Sequence, residues 1–212
     1  LTGEIGSGKT TLIRNLLKKK PATVVLSMVF NTNVEAEQLI ALINEDFGIT
    51  SHGKQKIALL RDLNDFLIKE YAAGKQAVIV IDEAQNLSPE SLEEIRLISN
   101  LETDSSKLVQ IILVGQPELK KVLSKPELLQ LRQRIGINCH LKPLSLSETE
   151  QYILYRLERA GNRDAVTFSP QALPLIHKNS RGIPRLVNII CDYLLLNAFA
   201  SQATHIEADS VN

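Results

Sequence analysis

A parallel β-sheet covered by helices on both faces, followed by a small all-helical domain, is the architecture that this 212-residue sequence predicts. Three observations predict it. A glycine-rich loop from Gly3 to Thr10 runs directly into an amphipathic segment, short β-branched runs then alternate with helical periodicity, and from Ser145 onward helical starts recur without strand-type runs. The expected division is an α/β core over residues 1–143 and a helical domain over residues 144–212.

The elements follow in order. Leu12, Ile13, Leu16 and Leu17 lie on one side of the first helix, Lys18 to Lys20 suit its C-terminus, and Pro21 cannot continue it. Thr23 to Val29 reads as a buried strand. Ala36, Leu39, Ile40, Ile43 and Phe47 recur at helical spacing, with Glu35 and Glu37 near the start and Gly48 just past the end. A helix from Lys54 to Ala73 stops before Gly74 and leads into Ala77 to Ile81, too short and too β-branched for a helix, so a central strand. Ser88-Pro89-Glu90 supplies an N-cap, a first-turn proline and a first-turn acid. Leu108 to Val114 returns to strand, helical pieces span Glu118 to Leu123 and Glu127 to Ile135, and Ile137 to Leu141 reads as the last core strand. Beyond it, Ser147 and Glu150 have capping-box spacing, Gly161 closes that helix, Ser169-Pro170 opens the next, and Pro184 opens a longer one through Ala200.

Composition bounds the function. Lys plus Arg and Asp plus Glu number 24 each, so no global field draws the chain to nucleic acid or acidic lipid. Aromatic residues make up 4%, which leaves few platforms for stacking single-stranded bases. Cys139 and Cys191 lack metal-type spacing and are expected as reduced, buried thiols of a cytosolic protein, and the four histidines never stand at ligand spacing. The apolar stretch Leu186 to Ala200 is interrupted by Asn188, Asp192 and Asn197, so it reads as a packed helix rather than a membrane span. The phosphate loop normally follows a strand, and the chain opens at Leu1 with almost none, so further residues are expected upstream.

Gly3 to Thr10, G-E-I-G-S-G-K-T, fits the phosphate-loop pattern G-x-x-x-x-G-K-[ST]. Its glycines allow a tight turn whose N–H groups converge on phosphate oxygens, Lys9 adds a point charge, Thr10 offers a hydroxyl to Mg2+, and the helix N-terminus directs its dipole at the anion. The expected binding set for a nucleoside triphosphate is Gly3, Glu4, Ile5, Gly6, Ser7, Gly8, Lys9, Thr10, Thr11 and Asp82. Asp82 and Glu83 end the central strand, where open parallel sheets bind ligands. Asp82 is expected to share Mg2+ with Thr10, and Glu83 to polarise the attacking water. Gln116 follows the next strand, where its amide is expected to reach the γ phosphate or the lytic water. Arg132 and Arg134 in L-R-Q-R-I are candidates for a finger into a neighbouring subunit's nucleotide. On a helix, positions two apart diverge by about 200 degrees, so at most one serves. Arg185 in S-R-G-I-P-R is a candidate γ-phosphate contact from the helical domain, with Arg181 competing for the role.

In this order, these motifs resemble AAA+ ATPases. More closely, L-T-G-E-I-G-S-G-K-T-T-L-I-R, I-D-E-A-Q-N-L-S-P-E-S-L-E-E-I-R-L-I-S-N-L-E-T and L-V-G-Q-P-E-L resemble the general secretion pathway protein A family. The resemblance implies an AAA+ fold with a helical lid and hydrolysis of ATP with Mg2+. It also implies a homo-oligomer with Arg132 or Arg134 as the finger, and Arg185 as lid sensor. It further implies assembly or remodelling of a secretion or pilus complex at the cytoplasmic face of the inner membrane, with an inner-membrane assembly protein as partner. Peptidoglycan enters only if a C-terminal domain follows. Gln116 stands where many AAA+ proteins carry asparagine. A DNA-associated regulator of the transposon target-selection or initiator type is the alternative, and charge balance and aromatic content argue against it.

Overall fold

The computed structural model describes residues 1–102 and 106–211. It divides into two compact units, Leu1–Gly3 with Lys9–His140, and Glu4–Gly8 with Leu141–Asn212.

In the first unit a two-residue strand β1 (Thr2–Gly3) precedes three longer strands, β2 (Val24–Val29), β3 (Gln76–Ile81) and β4 (Val109–Leu113). The longer strands are parallel, with β3 in the centre, Val25 opposite Ala77 and Ala77 opposite Val109. Beyond β4, Gly115 N–H donates to Leu1 O at 3.0 Å and Gly3 N–H donates to Gly115 O at 3.2 Å, so the start of the phosphate loop is tied to the end of that strand.

The helices of this unit are α1 (Lys9–Lys18), α2 (Ala36–Asp46), α3 (Lys56–Ala72), α4 (Pro89–Ile98), α5 (Glu118–Leu123) and α6 (Leu129–Gln133). Strand side chains alternate between faces. Ala77, Ile79 and Ile81 of β3 enter the larger core with Leu39, Ile40, Ile43, Leu63, Leu92 and Ile95. Val78 and Val80 enter a smaller one with Ile13 and Leu17 of α1 and Ile112 and Val114. The run therefore reads as continuously apolar because both faces are covered. Each fully buried Leu or Ile contributes roughly 1.5–3 kcal/mol.

Several expected elements are adjusted. Of the α1 stripe, Ile13 is buried and Leu17 partly so, while Leu12 and Leu16 are exposed. Residues 127–135 form a short 3-10 turn, Pro126–Leu128, before α6, with Arg134 as the cap. The expected core strand Ile137 to Leu141 shrinks to β5 (His140–Leu141), a neighbour of the two-residue β1. With so short a partner the preceding residues have no ladder, and Ile137 is 88% exposed. Cys139 is exposed rather than buried.

The second unit contains α7 (Leu146–Arg159), α8 (Ala172–Ser180) and α9 (Pro184–Ala200), and the parallel pair β6 (Thr167–Phe168) and β7 (His205–Ile206), which had no sequence signal. Ile153, Leu157, Ile176, Val187, Cys191 and Leu194 form its core. The spacing S-x-x-E occurs twice near the start of α7, and the box is made by Ser145 and Glu148 rather than Ser147 and Glu150: Ser145 N–H donates to Glu148 Oε2 at 2.8 Å. The first frame is selected by Leu144, whose N–H donates to Gly182 O at 2.8 Å. A Cβ on Gly182, at φ +69°, would lie 2.0 Å from Leu144 O, so only glycine permits this approach. Ser169 does not cap α8. Its hydroxyl is buried without a partner, and a turn through Ala172 N–H to Ser169 O precedes the helix. Helix α9 packs on one side only, leaving Ile189, Tyr193, Leu196 and Phe199 exposed.

Candidate nucleotide-binding site

The loop between β1 and α1 is shaped by backbone conformations that favour glycine. Gly6 has φ +79° and Gly8 φ +95°, and Ser7 N–H donates to Glu4 O at 3.1 Å, closing the turn. Gly6 also meets a close neighbour inside the second unit: Arg185 N–H donates to its carbonyl at 3.2 Å, and a Cβ there would stand 2.6 Å from Arg185 Cβ. The Arg185 side chain is exposed, at the second position of α9, whereas Arg181 caps α8 in the left-handed region at φ 52°.

At the start of α1, Lys9 is buried, and its ammonium donates to Gly3 O at 2.9 Å. Ser7 Oγ is buried with no hydrogen-bond partner. A buried ammonium at the first position of a helix suits an anion such as phosphate. Glu4, Ile5 and Thr11 are exposed.

Strand β3 delivers the acidic pair. Asp82 is 5% exposed, and its carboxylate is held at both oxygens: Thr10 Oγ1 donates to Oδ2 at 2.6 Å and Glu83 N–H donates to Oδ1 at 2.9 Å. A hydroxyl and a carboxylate side by side form the hard-oxygen set that Mg2+ prefers, usually with phosphate oxygens and water completing the shell.

Glu83 follows in the left-handed region at φ 52°, which costs a non-glycine residue on the order of 1–3 kcal/mol. The flanking strands hold it there. Asp82 N–H donates to Val29 O at 2.9 Å, Ala84 N–H to Val114 O at 2.8 Å, and Thr32 Oγ1 to Glu83 O at 3.0 Å. The conformation turns the chain sharply out of the sheet. Its side chain joins two amides: Glu83 Oε2 accepts from Gln85 Nε2 at 2.7 Å and from Gln116 Nε2 at 3.3 Å. Gln116, expected to reach the γ phosphate or the lytic water, thus contacts the Glu83 carboxylate in this structure.

Arg132 and Arg134 are both exposed. Arg132 Nη1 donates to Ser124 O at 3.3 Å, whereas Arg134, at the C-cap of α6, makes no side-chain hydrogen bond or ion pair to the described residues. Sequence reasoning missed Thr32 and Gln85. Thr32 carries no local signal, and Gln85 stands two residues after Glu83 in I-D-E-A-Q, in a turn that also holds the polar Asn86.

The segment that carries the loop, the acidic pair and Gln116 decides the family: residues 1–123 match the AAA domain model. The chain belongs to the AAA domain family. This AAA domain is 45% identical over 201 residues to general secretion pathway protein A of Aeromonas hydrophila, an alignment covering 94% of this chain and 37% of that protein. The resemblance drawn from the motifs therefore holds, while the chain spans well under half of that relative's length. Among solved structures the AAA domain resembles the ORC2 protein of Aeropyrum pernix in its ADP form, with TM-score 0.71 and 21% identity over 99% of this chain and 60% of that one. It also resembles Cdc6p of Pyrobaculum aerophilum, with TM-score 0.69 and 20% identity over 97% of this chain and 56% of that one. At these identities the likeness establishes the fold alone. No helix among the described residues is long and apolar enough to cross a membrane.

Proposed function

We propose that this AAA domain binds and hydrolyses ATP, and that turnover drives assembly or remodelling of a secretion- or pilus-type envelope complex at the inner-membrane face. The observation that carries the reading is the juxtaposition, within one unit, of a buried loop lysine, a Thr10–Asp82 pair and a carboxylate turned out of the sheet at Glu83. Gly3 to Thr11 would hold the phosphates, with Lys9 as the charge. Thr10 and Asp82 would hold Mg2+, which neutralises charge on the phosphates and polarises them when bound. Glu83 accepts a proton from water as the water oxygen bonds to the γ phosphorus and the bond from that phosphorus to the β–γ bridging oxygen breaks, releasing ADP and phosphate, and the Gln116 amide orients that water.

Hydrolysis alone does not make a machine. We propose a homo-oligomer in which Arg134, or else Arg132, completes a neighbour's site, and in which Arg185 senses the γ phosphate. Arg134 has no side-chain hydrogen bond or ion pair among the described residues, which favours it over Arg132, already engaged by Ser124. The secretion role is supported by the similarity to general secretion pathway protein A; within that proposal the partner is an inner-membrane assembly protein, and peptidoglycan enters only if a further domain follows.

The test is Glu83→Gln, which keeps shape and removes the base. ATP affinity is expected to stay within about twofold while turnover falls roughly 100- to 10,000-fold. Turnover at the wild-type rate would refute the assignment.

A further inference from the structure

Glu83 does not hold its carboxylate alone. Gln85, in the 3-10 turn Ala84–Asn86 that follows it, uses both ends of its amide: Nε2 donates to Glu83 Oε2 at 2.7 Å, and Oε1 accepts the Gln116 backbone N–H at 3.0 Å. The orientation of the amide is dictated by its partners. A backbone N–H only donates, so the oxygen must face Gln116 and the NH2 must face the carboxylate. The fit is close on the third side, where a Cβ on Gly115 would stand 2.7 Å from Gln85 Oε1. Glycine at 115 thus leaves room for the amide against the end of β4.

We propose that Gln85 is a positioning residue that fixes the Glu83 carboxylate relative to the end of β4, so that a shift of the Gln116 backbone is transmitted to the base. This rests on the reading of Glu83 given above. Gln116 bonds the same oxygen weakly through its side chain, at 3.3 Å, and strongly supports Gln85 through its backbone. The stronger path from the γ-phosphate side of the sheet to the base therefore runs through Gln85. Two substitutions separate its parts. Gln85→Ala removes both bonds, whereas Gln85→Glu keeps the acceptor for Gln116 N–H and replaces the donor to Glu83 by a second negative charge.

The experiment measures steady-state kcat and KM for ATP hydrolysis, and equilibrium nucleotide affinity, for wild type, Gln85→Ala, Gln85→Glu, Glu83→Gln and the double variant Glu83→Gln/Gln85→Ala. Misplacing a reacting group by about 1 Å costs on the order of 100-fold, so kcat is expected to fall roughly 10- to 100-fold in Gln85→Ala and further in Gln85→Glu. KM and affinity should stay within about twofold. In the Glu83→Gln background, Gln85→Ala should change the residual rate less than about twofold, because a residue acting through Glu83 has nothing left to position. A Gln85→Ala protein with wild-type kcat, while Glu83→Gln is inactive, overturns the proposal. So does loss of affinity together with kcat, or a full additional loss in the double variant, since each marks a structural role. A fully active Glu83→Gln removes the base itself and the proposal with it.

Discussion

Thr10 and Asp82, 72 residues apart in sequence, meet at 2.6 Å through a hydroxyl–carboxylate hydrogen bond that joins the first turn of α1 to the end of β3. The bond sets two oxygens side by side at the foot of the phosphate loop. Because Asp82 also accepts Glu83 N–H through its other oxygen, one carboxylate aligns the candidate metal ligands and the base together.

Asp82→Asn tests that dual role. An asparagine has one acceptor where Asp82 uses two, so if its oxygen keeps Glu83 N–H, its NH2 must donate to Thr10 and occupy a lone pair that a cation needs. The Mg2+ concentration for half-maximal nucleotide binding is expected to rise roughly 10- to 100-fold, read by titrating Mg2+ at fixed nucleotide. An unchanged Mg2+ midpoint would remove Asp82 from the metal site.

Ser88 Oγ accepts Ser91 N–H at 3.1 Å and caps α4, whose Leu92, Ile95 and Ile98 enter the main core. Ser88→Ala is expected to destabilise the first unit by about 1 kcal/mol, and Ser88→Asp to retain most of that, measured as shifts in denaturant midpoint. Nucleotide affinity extrapolated to the folded protein should not change.

The two thiols are expected to differ in reactivity. Burial, with a lesser contribution from the charge of Asp192, pushes the Cys191 thiol up to about 12, whereas Cys139 is exposed. Only a thiolate attacks a disulfide reagent, so at pH 8 one thiol per native chain should react promptly and two after denaturation. Between about pH 8 and 9.5 the Cys191 thiol should stay slow to react in the native protein, since burial holds its proton above the ordinary thiol range. Prompt reaction of both at pH 8 would contradict the packing of α9 against its unit.

Much of this was legible locally. The phosphate loop, the pair Asp82–Glu83 and the S-P-E start of α4 each carry their chemistry in consecutive residues, and β3 announces itself because both of its faces are buried. What was not legible depends on partners distant in sequence. The left-handed turn at Glu83 is held by Val29, Thr32 and Val114 from two other segments, and Gln85 acquires meaning only when β4 brings Gln116 beside it. The strand expected at Ile137 failed for the same reason, since apolar alternation specifies a strand only where a partner is long enough to pair with it. At α7 two capping frames were locally equivalent, and the Leu144–Gly182 contact selected one.

The central claim is a nucleotide site built on Lys9, and equilibrium titration with a fluorescent Mg·ATP analogue tests it most directly, with wild type and Lys9→Ala compared at matched thermal stability. Saturable binding at one site per chain is expected for the wild type, weakened roughly 10- to 100-fold or more in the variant, as loss of a charged hydrogen-bond donor to phosphate requires. No saturable binding by the folded wild type, or equal affinity in Lys9→Ala, would contradict it.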